Sequence, residues 1–170
     1  MTGPGADDID NRPYRQCVGV MLINRSGLVF VGDRVNTNSQ DWQMPQGGIE
    51  KGETPHIAAF RELEEETGTD KAEIIGEIPR WISYDLPSDI SRRVWGGRYR
   101  GQMQRWFAMR FNGEDNDICL DRHIAEFSAW RWVPIGTVCD LIIPFKQKVY
   151  NEVVREFTPL TEHHAAGKTA

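Results

Sequence analysis

The sequence lacks several features that would assign it to a class at once. It has three cysteines, Cys17, Cys119 and Cys139, and no pair has the spacing of a zinc finger or a redox motif. It also lacks an excess of positive charge, because the formal net charge is −5, which argues against broad electrostatic wrapping of nucleic acid. We expect reduced cysteines, with Cys17 and Cys119 in the core, and therefore a reducing compartment.

Long apolar runs are missing as well. No run approaches the roughly 20 residues needed to cross a bilayer, and residues 1–14 are too polar for a signal peptide. No internal repeat is visible. We expect a soluble, cytoplasmic protein with one domain at 13–158, a flexible N-terminal arm at 1–12 and a flexible tail at 159–170.

What the sequence does have is a well-delimited helix rich in glutamate. Thr54 is a suitable N-cap, Pro55 fits the first helical position, and Gly68 is placed to be a left-handed C-terminal cap. The pattern predicts a helix from Pro55 to Thr67. Its predicted inward stripe contains Ile57, Phe60, Leu63 and Thr67.

Three glutamates of this helix, Glu62, Glu65 and Glu66, have the spacing i, i+3, i+4 and so share one face. Like charges placed in this way repel each other, and cations on that face would relieve the repulsion. Carboxylates are the hard oxygen ligands that Mg²⁺ prefers. The segment is therefore a candidate catalytic metal site. Arg61 could pair with Glu53 and hold the preceding glycine turn against the helix.

The rest of the chain predicts strands around this helix and a second helix near the end. We therefore expect an α/β fold in which helices pack on a mixed sheet. The predicted strands are 15–23, 28–32, 73–84, 102–111 and 127–133, the predicted long loop is 86–101, and the predicted second helix is 144–157.

Arginines are concentrated in and just after the predicted long loop. Because long loops in compact domains are often functional, we expect these side chains to form a local basic pocket for one phosphate chain. They are Arg92, Arg93, Arg98, Arg100 and Arg105.

The order of the glycine turn and the acidic helix resembles the Nudix box. Gly47 is followed after five residues by Glu53, and Glu53 is followed after seven residues by the run from Arg61 to Gly68. Thr69 departs from the aliphatic residue usual at that place, which affects packing rather than ligands. The resemblance implies a Nudix-type α/β/α sandwich with a central acidic helix and a C-terminal helix, and cleavage of a nucleoside diphosphate linked to another group.

The resemblance also implies a metal site and its cofactor. It makes Glu62, Glu65 and Glu66 catalytic and metal-binding candidates, with either Glu66 or Glu62 as general base. It adds Glu126 and the backbone of Gly47 as ligands, and it makes Gly48, Glu53, Arg61 and Gly68 supporting residues. The implied cofactor is two or three Mg²⁺ ions, with Mn²⁺ as a possible substitute.

Other segments place the chain in one branch of that family. Residues 42–48 resemble the segment that leads into the box in bacterial RNA pyrophosphohydrolases and plant-type asymmetric diadenosine tetraphosphate hydrolases. Residues 81–87 and 95–107 resemble the plant-type enzymes, whereas 126–132 and 144–146 are similar to both.

The leading hypothesis is removal of pyrophosphate from 5′-triphosphorylated RNA, a step that starts mRNA decay. The alternatives are hydrolysis of diadenosine tetraphosphate to ATP and AMP, and a nucleotide-binding module without catalysis. We expect no membrane and no DNA among the partners; protein partners are not predicted.

The branch implies a set of substrate-binding residues, each of which has a purely structural alternative. Arg15 would bind phosphate or be a solvated charge, Phe145 would stack on a base or belong to the core, and Tyr84 would contact a purine or only pack. The predicted set is Arg15, Arg34, Gln43, Tyr84, Arg105, Phe145, Lys146 and Tyr150.

Overall fold

The computed structural model describes residues 10–35 and 41–166, with side chains as far as residue 162. The expected flexibility of residues 1–9 and 167–170 lies outside the described residues and stays a prediction.

Within the described residues, eight strands form one mixed sheet with the central order β3-β2-β1-β7-β5. The two long strands at its centre, β1 (Tyr14–Ile23) and β7 (Gly101–Phe111), run parallel in continuous register from Tyr14–Gly101 to Ile23–Arg110. Off this path, β4 pairs with β1, β6 with β7, and β8 with β2. The other strands are β2 (Val29–Arg34), β3 (Trp42–Gln43), β4 (Gln46–Gly48), β5 (Ala72–Glu77), β6 (Ile82–Asp85) and β8 (Phe127–Val133).

The acidic helix, α1, spans Pro55–Thr67, as the sequence predicts. Thr54 Oγ accepts a hydrogen bond from the backbone N–H of Ile57, and Gly68, at φ 78°, donates its own N–H to the carbonyl of Glu64. Both helix ends are therefore satisfied by the residues that the pattern selects. The other helices are α2 (Ser88–Ser91), α3 (Val138–Leu141) and α4 (Gln147–Ala166), with short 3₁₀ turns at Val94–Gly97, Asp115–Asp117, Ile135–Thr137 and Pro144–Lys146.

Alternate side chains of β1 pack on opposite faces of the sheet. Val18, Val20 and Leu22 join the apolar cluster under α1, whereas Met21 and Ile23 join the cluster under α4. This period of two is what a strand buried on both faces produces. The sheet therefore has a helix on each side, and the predicted α/β/α sandwich is confirmed.

Several boundaries differ from the sequence prediction. The segment 73–84 forms two strands, β5 and β6, and the loop 86–101 contains α2 and a 3₁₀ turn. α4 continues past Phe157 to Ala166, because Leu160 packs on the core and Thr161 is buried, so the tail does not begin at 159. At the other end, Arg12 donates to the carbonyls of Ser91 and Gly97, so residues 10–12 are fastened rather than part of an arm.

Across the ranges that the structure describes, no helix is long and apolar enough to cross a membrane.

Candidate active site

Arg61 connects the glycine turn to the acidic face of α1. Its Nε and Nη2 donate to the two carboxylate oxygens of Glu53 at 2.7 and 2.8 Å, and Nη2 also donates to the carbonyl of Gly48 at 2.8 Å. Its Nη1 donates to Glu62 at 2.8 Å and to Glu65 at 3.2 Å. The guanidinium lowers the pKa of Glu53 to about 2. The predicted Arg61–Glu53 pair therefore exists, and it holds the turn against the helix.

The glycine turn lies directly against the Glu62 carboxylate. A Cβ atom at Gly47 would overlap that carboxylate, and a Cβ atom at Gly48 would overlap the guanidinium of Arg15. Neither glycine has a left-handed backbone, so the requirement for glycine here is close approach rather than conformation. The turn thereby brings main-chain atoms into the space between carboxylates and cations.

Glu66 is the most deeply buried of the helix glutamates, with 6% of its surface exposed. It accepts a hydrogen bond from the backbone N–H of Gln46 at 3.1 Å. Burial, together with the charges of Glu62 and Glu126, raises the pKa of Glu66 well above its usual value. Burial likewise raises the pKa of Glu62 to about 6. Burial therefore disfavours the charged forms of both carboxyl groups, and a bound cation would stabilise those charged forms.

Glu126 joins these residues from a distant part of the sequence. It precedes β8, and its backbone carbonyl accepts from the N–H of Val35 at 3.0 Å. Its side chain lines the same two cavities as those of Glu62, Glu65 and Glu66. The four glutamates that the sequence predicts as metal ligands therefore line the same cavities.

The carboxylates do not yet converge on a point. Among the described residues, no three carboxylate, histidine or cysteine side chains stand close enough to hold one ion between them. Glu62 and Glu65 instead pair with Arg61, at 2.8 and 3.2 Å. The donor chemistry fits a hard divalent cation, since Glu62, Glu65, Glu66, Glu126 and the Gly47 backbone supply oxygen.

Cations and polar groups line the same main cavity, which has a volume of about 540 Å³. We call the part of the lining formed by Glu62, Glu65, Glu66 and Glu126 its carboxylate end and the part formed by Arg15, Arg34 and Lys146 its cationic end. Arg15, Arg34 and Lys146 line it together with Gln43, whose Oε1 accepts from Lys146 Nζ at 3.1 Å. Burial lowers the pKa of Lys146 to about 8, and the neighbouring Arg34 acts in the same direction. Arg15 is held over the ring of Trp95, with 4.9 Å between the guanidinium carbon and the ring centroid. Three positive groups and four glutamates therefore line one cavity.

Two aromatic side chains flank the cationic end. Tyr84 and Phe145 both line the main cavity, and their ring centroids are 6.1 Å apart with 31° between the planes. Tyr84 is buried, and Phe145 is partly buried against the core cluster under α4. Phe145 thus contacts the core and also lines the cavity, and its stacking on a base stays a prediction.

The structure corrects two of the predicted substrate-binding residues. Tyr150 is 2% exposed and its hydroxyl accepts from the N–H of Met44 at 2.9 Å, so it is a core residue rather than a purine contact. Arg105 lies over the ring of Trp81 and pairs with Glu77 at 3.5 Å, away from the main cavity.

The other arginines of the predicted loop, Arg92, Arg93, Arg98 and Arg100, are also absent from the lining of the main cavity. Arg100 pairs with Asp85 at 2.9 Å and lies over the ring of Tyr14, Arg98 lies over Tyr99, and the Nε of Arg93 donates to the carbonyl of Asp89. The expectation that these arginines form a basic pocket for a phosphate chain is therefore wrong. The cavity draws its positive charge from Arg15, Arg34 and Lys146 instead.

A chain of three hydrogen-bonded glutamines, of which Gln102 and Gln104 are buried, was not predicted from the sequence. Gln104 Nε2 donates to Gln46 at 2.7 Å and to Gln102 at 2.8 Å, while Gln104 Oε1 accepts from Trp106 Nε1 at 2.9 Å. Gln46 and Gln102 line the main cavity. The signal was present in β7, where the polar residues 102 and 104 fall on alternate positions of a strand that is otherwise mostly apolar.

Asp41 is a second residue that the sequence did not single out. It lines the main cavity at 6% exposure, and no donor among the described residues reaches its Oδ1. It follows a polar stretch in which nothing distinguishes it from its neighbours.

The model for the NUDIX domain matches residues 13–157, which is most of the chain. An RNA pyrophosphohydrolase of Nitrobacter winogradskyi is 53% identical over 159 residues, covering 89% of this chain and 94% of that protein. An RNA pyrophosphohydrolase of Rhodospirillum rubrum is 55% identical over 144 residues, covering 85% of this chain and 87% of that protein.

Solved structures resemble the fold at lower identity. The dihydroneopterin triphosphate pyrophosphohydrolase of E. coli superimposes with a TM-score of 0.66 at 21% identity, covering 85% of this chain and 99% of that one. An Ap4A hydrolase of C. elegans superimposes with a TM-score of 0.61 at 14% identity, covering 86% of this chain and 98% of that one. The domain match, the relatives and the arrangement of turn and helix agree, and the chain belongs to the Nudix family.

Proposed function

We propose that this protein is a Nudix hydrolase that removes pyrophosphate from the 5′-triphosphate end of RNA, a step that initiates mRNA decay. The observation that carries the proposal is the main cavity of about 540 Å³, which is lined both by four glutamates and by Arg15, Arg34 and Lys146. That volume suits a nucleotide with its phosphates. Relatives that are 53% and 55% identical to this chain and bear the name RNA pyrophosphohydrolase support the choice of RNA.

The cationic end would bind the phosphate chain and set its direction. Arg15 is held in place by Trp95 and by the close approach of Gly48, so its guanidinium is pre-oriented toward phosphate oxygens. Lys146 is positioned by Gln43. Phe145 would support the terminal base with the face that it turns to the cavity, since bases stack on aromatic rings.

The carboxylate end would hold the cofactor, two or three Mg²⁺ or Mn²⁺ ions, through Glu62, Glu65, Glu66, Glu126 and the backbone of Gly47. When bound, such ions neutralise charge on the transferring and leaving phosphoryl groups. The residues themselves orient an attacking water in line with the leaving oxygen and accept its proton. Glu66 and Glu62 are the candidate bases, because both carboxylates line the cavity in which the substrate would bind.

The competing substrate is a dinucleoside polyphosphate such as diadenosine tetraphosphate. The observation in its favour is Trp95, an aromatic side chain at the cavity wall within the stretch that resembles plant-type diadenosine tetraphosphate hydrolases. A second nucleoside would find a surface there, whereas a triphosphate end needs none.

One experiment separates these functions. Purified protein is given Mg²⁺ and either 5′-triphosphorylated RNA or diadenosine tetraphosphate, and kcat/KM is compared. We expect a higher kcat/KM on the RNA, with release of pyrophosphate and a 5′-monophosphate product. A preference for the dinucleotide, with ATP and AMP as products, would replace RNA with the second substrate. Binding without turnover of either substrate would leave a nucleotide-binding module.

The cytoplasm, where such substrates are produced, is the proposed compartment.

A further inference from the structure

Glu64 is the one glutamate of the run 62–66 that lies outside both cavity linings in the described structure. Its side chain is nonetheless engaged. The Nε2 atom of His123 lies 2.9 and 2.8 Å from its two carboxylate oxygens. His123 comes from a segment 59 residues further along the chain. The contact therefore joins α1 to a distant part of the fold.

That part is the connecting segment 119–126, which ends in Glu126. Its start is fastened at the C-terminal end of α1, where the N–H of Cys119 donates to the carbonyl of Thr67 at 2.8 Å. Its end is fastened at β2, where the carbonyl of Glu126 accepts from Val35 at 3.0 Å. Between these points the segment passes α1, and His123 reaches Glu64 from its middle.

The position of the contact matters for the carboxylate end of the site. A second cavity of about 600 Å³ is lined by Glu62, Glu65, Glu66, His123, Ile124 and Glu126. Its wall thus consists of the acidic face of α1 on one side and of the connecting segment on the other. Ile124 is 90% exposed, so the middle of the segment has no apolar anchorage at that position.

We propose that the Glu64–His123 contact is a positioning device that holds the connecting segment against α1, so that Glu126 faces the carboxylates of the helix. His123 and Glu64 are positioning residues, because they act on the divalent ion through Glu126 and not by touching it. The proposal rests on the proposed function only in taking Glu126 as a ligand for a divalent cation.

The size of the effect follows from the exposure of the pair. The side chains of His123 and Glu64 are 44% and 32% exposed. Hydrogen-bonded pairs at such exposure are weak, so removing one should reduce the population of the aligned segment by roughly two- to fivefold. Affinity for a divalent ion should fall by the same factor, since the ion binds the aligned form.

The test uses full-length protein freed of divalent ions and titrated with Mn²⁺, whose free concentration is read by electron paramagnetic resonance. Glu64→Ala and His123→Ala should each weaken the tightest Mn²⁺ binding by about two- to fivefold, and the double variant should be no weaker than either single one. His123→Gln, which keeps a donor, should restore part of the affinity.

The matched control is Lys71→Ala, which removes an ion pair of similar exposure, Lys71 to Asp117 at 2.7 Å, that does not involve the connecting segment. It should leave Mn²⁺ affinity unchanged. A second measurement needs no metal: amide hydrogen exchange in residues 119–126 should accelerate in Glu64→Ala and His123→Ala but not in Lys71→Ala. The melting temperature should move equally little in all three.

Additive losses in the double variant, or Mn²⁺ affinity unchanged in Glu64→Ala and His123→Ala, would overturn the proposal. So would exchange in 119–126 that does not respond to either substitution. Both measurements are made without substrate. A wild-type protein that binds Mn²⁺ but releases no pyrophosphate from RNA would therefore refute the proposed function and leave this inference standing.

Discussion

At the carboxylate end of the main cavity, three of the four glutamates come from one helix, whereas at the cationic end Arg15, Arg34 and Lys146 come from β1, β2 and the turn before α4. The three helix glutamates are placed by helical spacing within five residues. The cationic end exists only after the sheet has formed and α4 has packed on it. The main cavity therefore combines carboxylates placed by the geometry of one helix with cations placed by tertiary packing. Substitutions in the two groups should therefore have different effects.

The strongest test of the carboxylate end is Glu66→Gln. The substitution keeps the size and the hydrogen bond from Gln46 but removes the buried charge, so turnover should fall at least 100-fold, as expected for loss of a base or ligand. Steady-state kinetics at saturating Mg²⁺ measures this, with circular dichroism to check folding. Glu156→Gln, on the exposed side of α4, is the control. Activity within threefold of wild type would remove Glu66 from the machinery.

The corresponding test of the cationic end is Phe145→Ala. Loss of a stacking surface for a base should raise KM by roughly tenfold with a smaller change in kcat. The free energy of unfolding should fall less than in Phe157→Ala, because Phe157 is 2% exposed and truncation of such a side chain costs about 3–5 kcal/mol. Chemical denaturation of both variants gives the comparison. If Phe145→Ala lost as much stability as Phe157→Ala and kept its KM, Phe145 would be core alone.

A pH profile examines Lys146. Its pKa in the folded protein is about 8, below the usual 10.5, so in the free enzyme its charge is present below that pH and is lost above it. We expect kcat/KM to fall severalfold as the pH rises from about 7.5 to about 9, since kcat/KM reports groups of the free enzyme. Lys146→Arg stays charged and should lack this decline.

The same shift has a consequence for stability with the opposite sign. Between the folded pKa of about 8 and the usual 10.5, the unfolded chain binds more protons at Lys146, so this group makes unfolding less favourable as the pH rises. Below about pH 8 the destabilising effect of Lys146 is complete.

In the kinetic pH profile, a decline in kcat/KM that persists in the Lys146→Arg variant would mean that a group other than Lys146 causes the decline.

The smallest expected effect belongs to Arg105→Gln. Its side chain lies over Trp81 outside the main cavity, so kcat/KM should stay within about twofold of wild type. Arg15→Gln, inside the cavity, should lower kcat/KM by about tenfold or more, as loss of a charge-assisted contact to phosphate does. Equal losses of kcat/KM in the two variants would mean that Arg105 contributes to substrate binding.

The sequence predicted α1 to the residue because its signals are local. Caps at Thr54 and Gly68 and the pair Arg61–Glu53 depend on spacing alone, and all three are present. The same local reasoning failed for Ile57, which is 59% exposed although its position belongs to the apolar stripe, because the cluster under α1 uses Ala58, Ala59 and Leu63 instead.

The cationic end could not be predicted in the same way. Composition showed many arginines in 92–105, but their directions depend on partners such as Asp85 and Glu77 on other strands. Tyr150 has a helical position that suits either the cavity or the core, and the hydrogen bond to Met44 decides for the core. The glutamine chain depends on β7 lying parallel to β1, which no local pattern specifies.

Arg61 gives the carboxylate end a property that the glutamates alone would not have. Its guanidinium is shared by Glu53, Glu62, Glu65 and the carbonyl of Gly48, so a positive charge lies among the acidic groups of the folded protein. A divalent ion held by Glu62 and Glu65 would compete with Arg61 for these two carboxylates, whereas Glu53 and the glycine turn would keep their hydrogen bonds to Arg61.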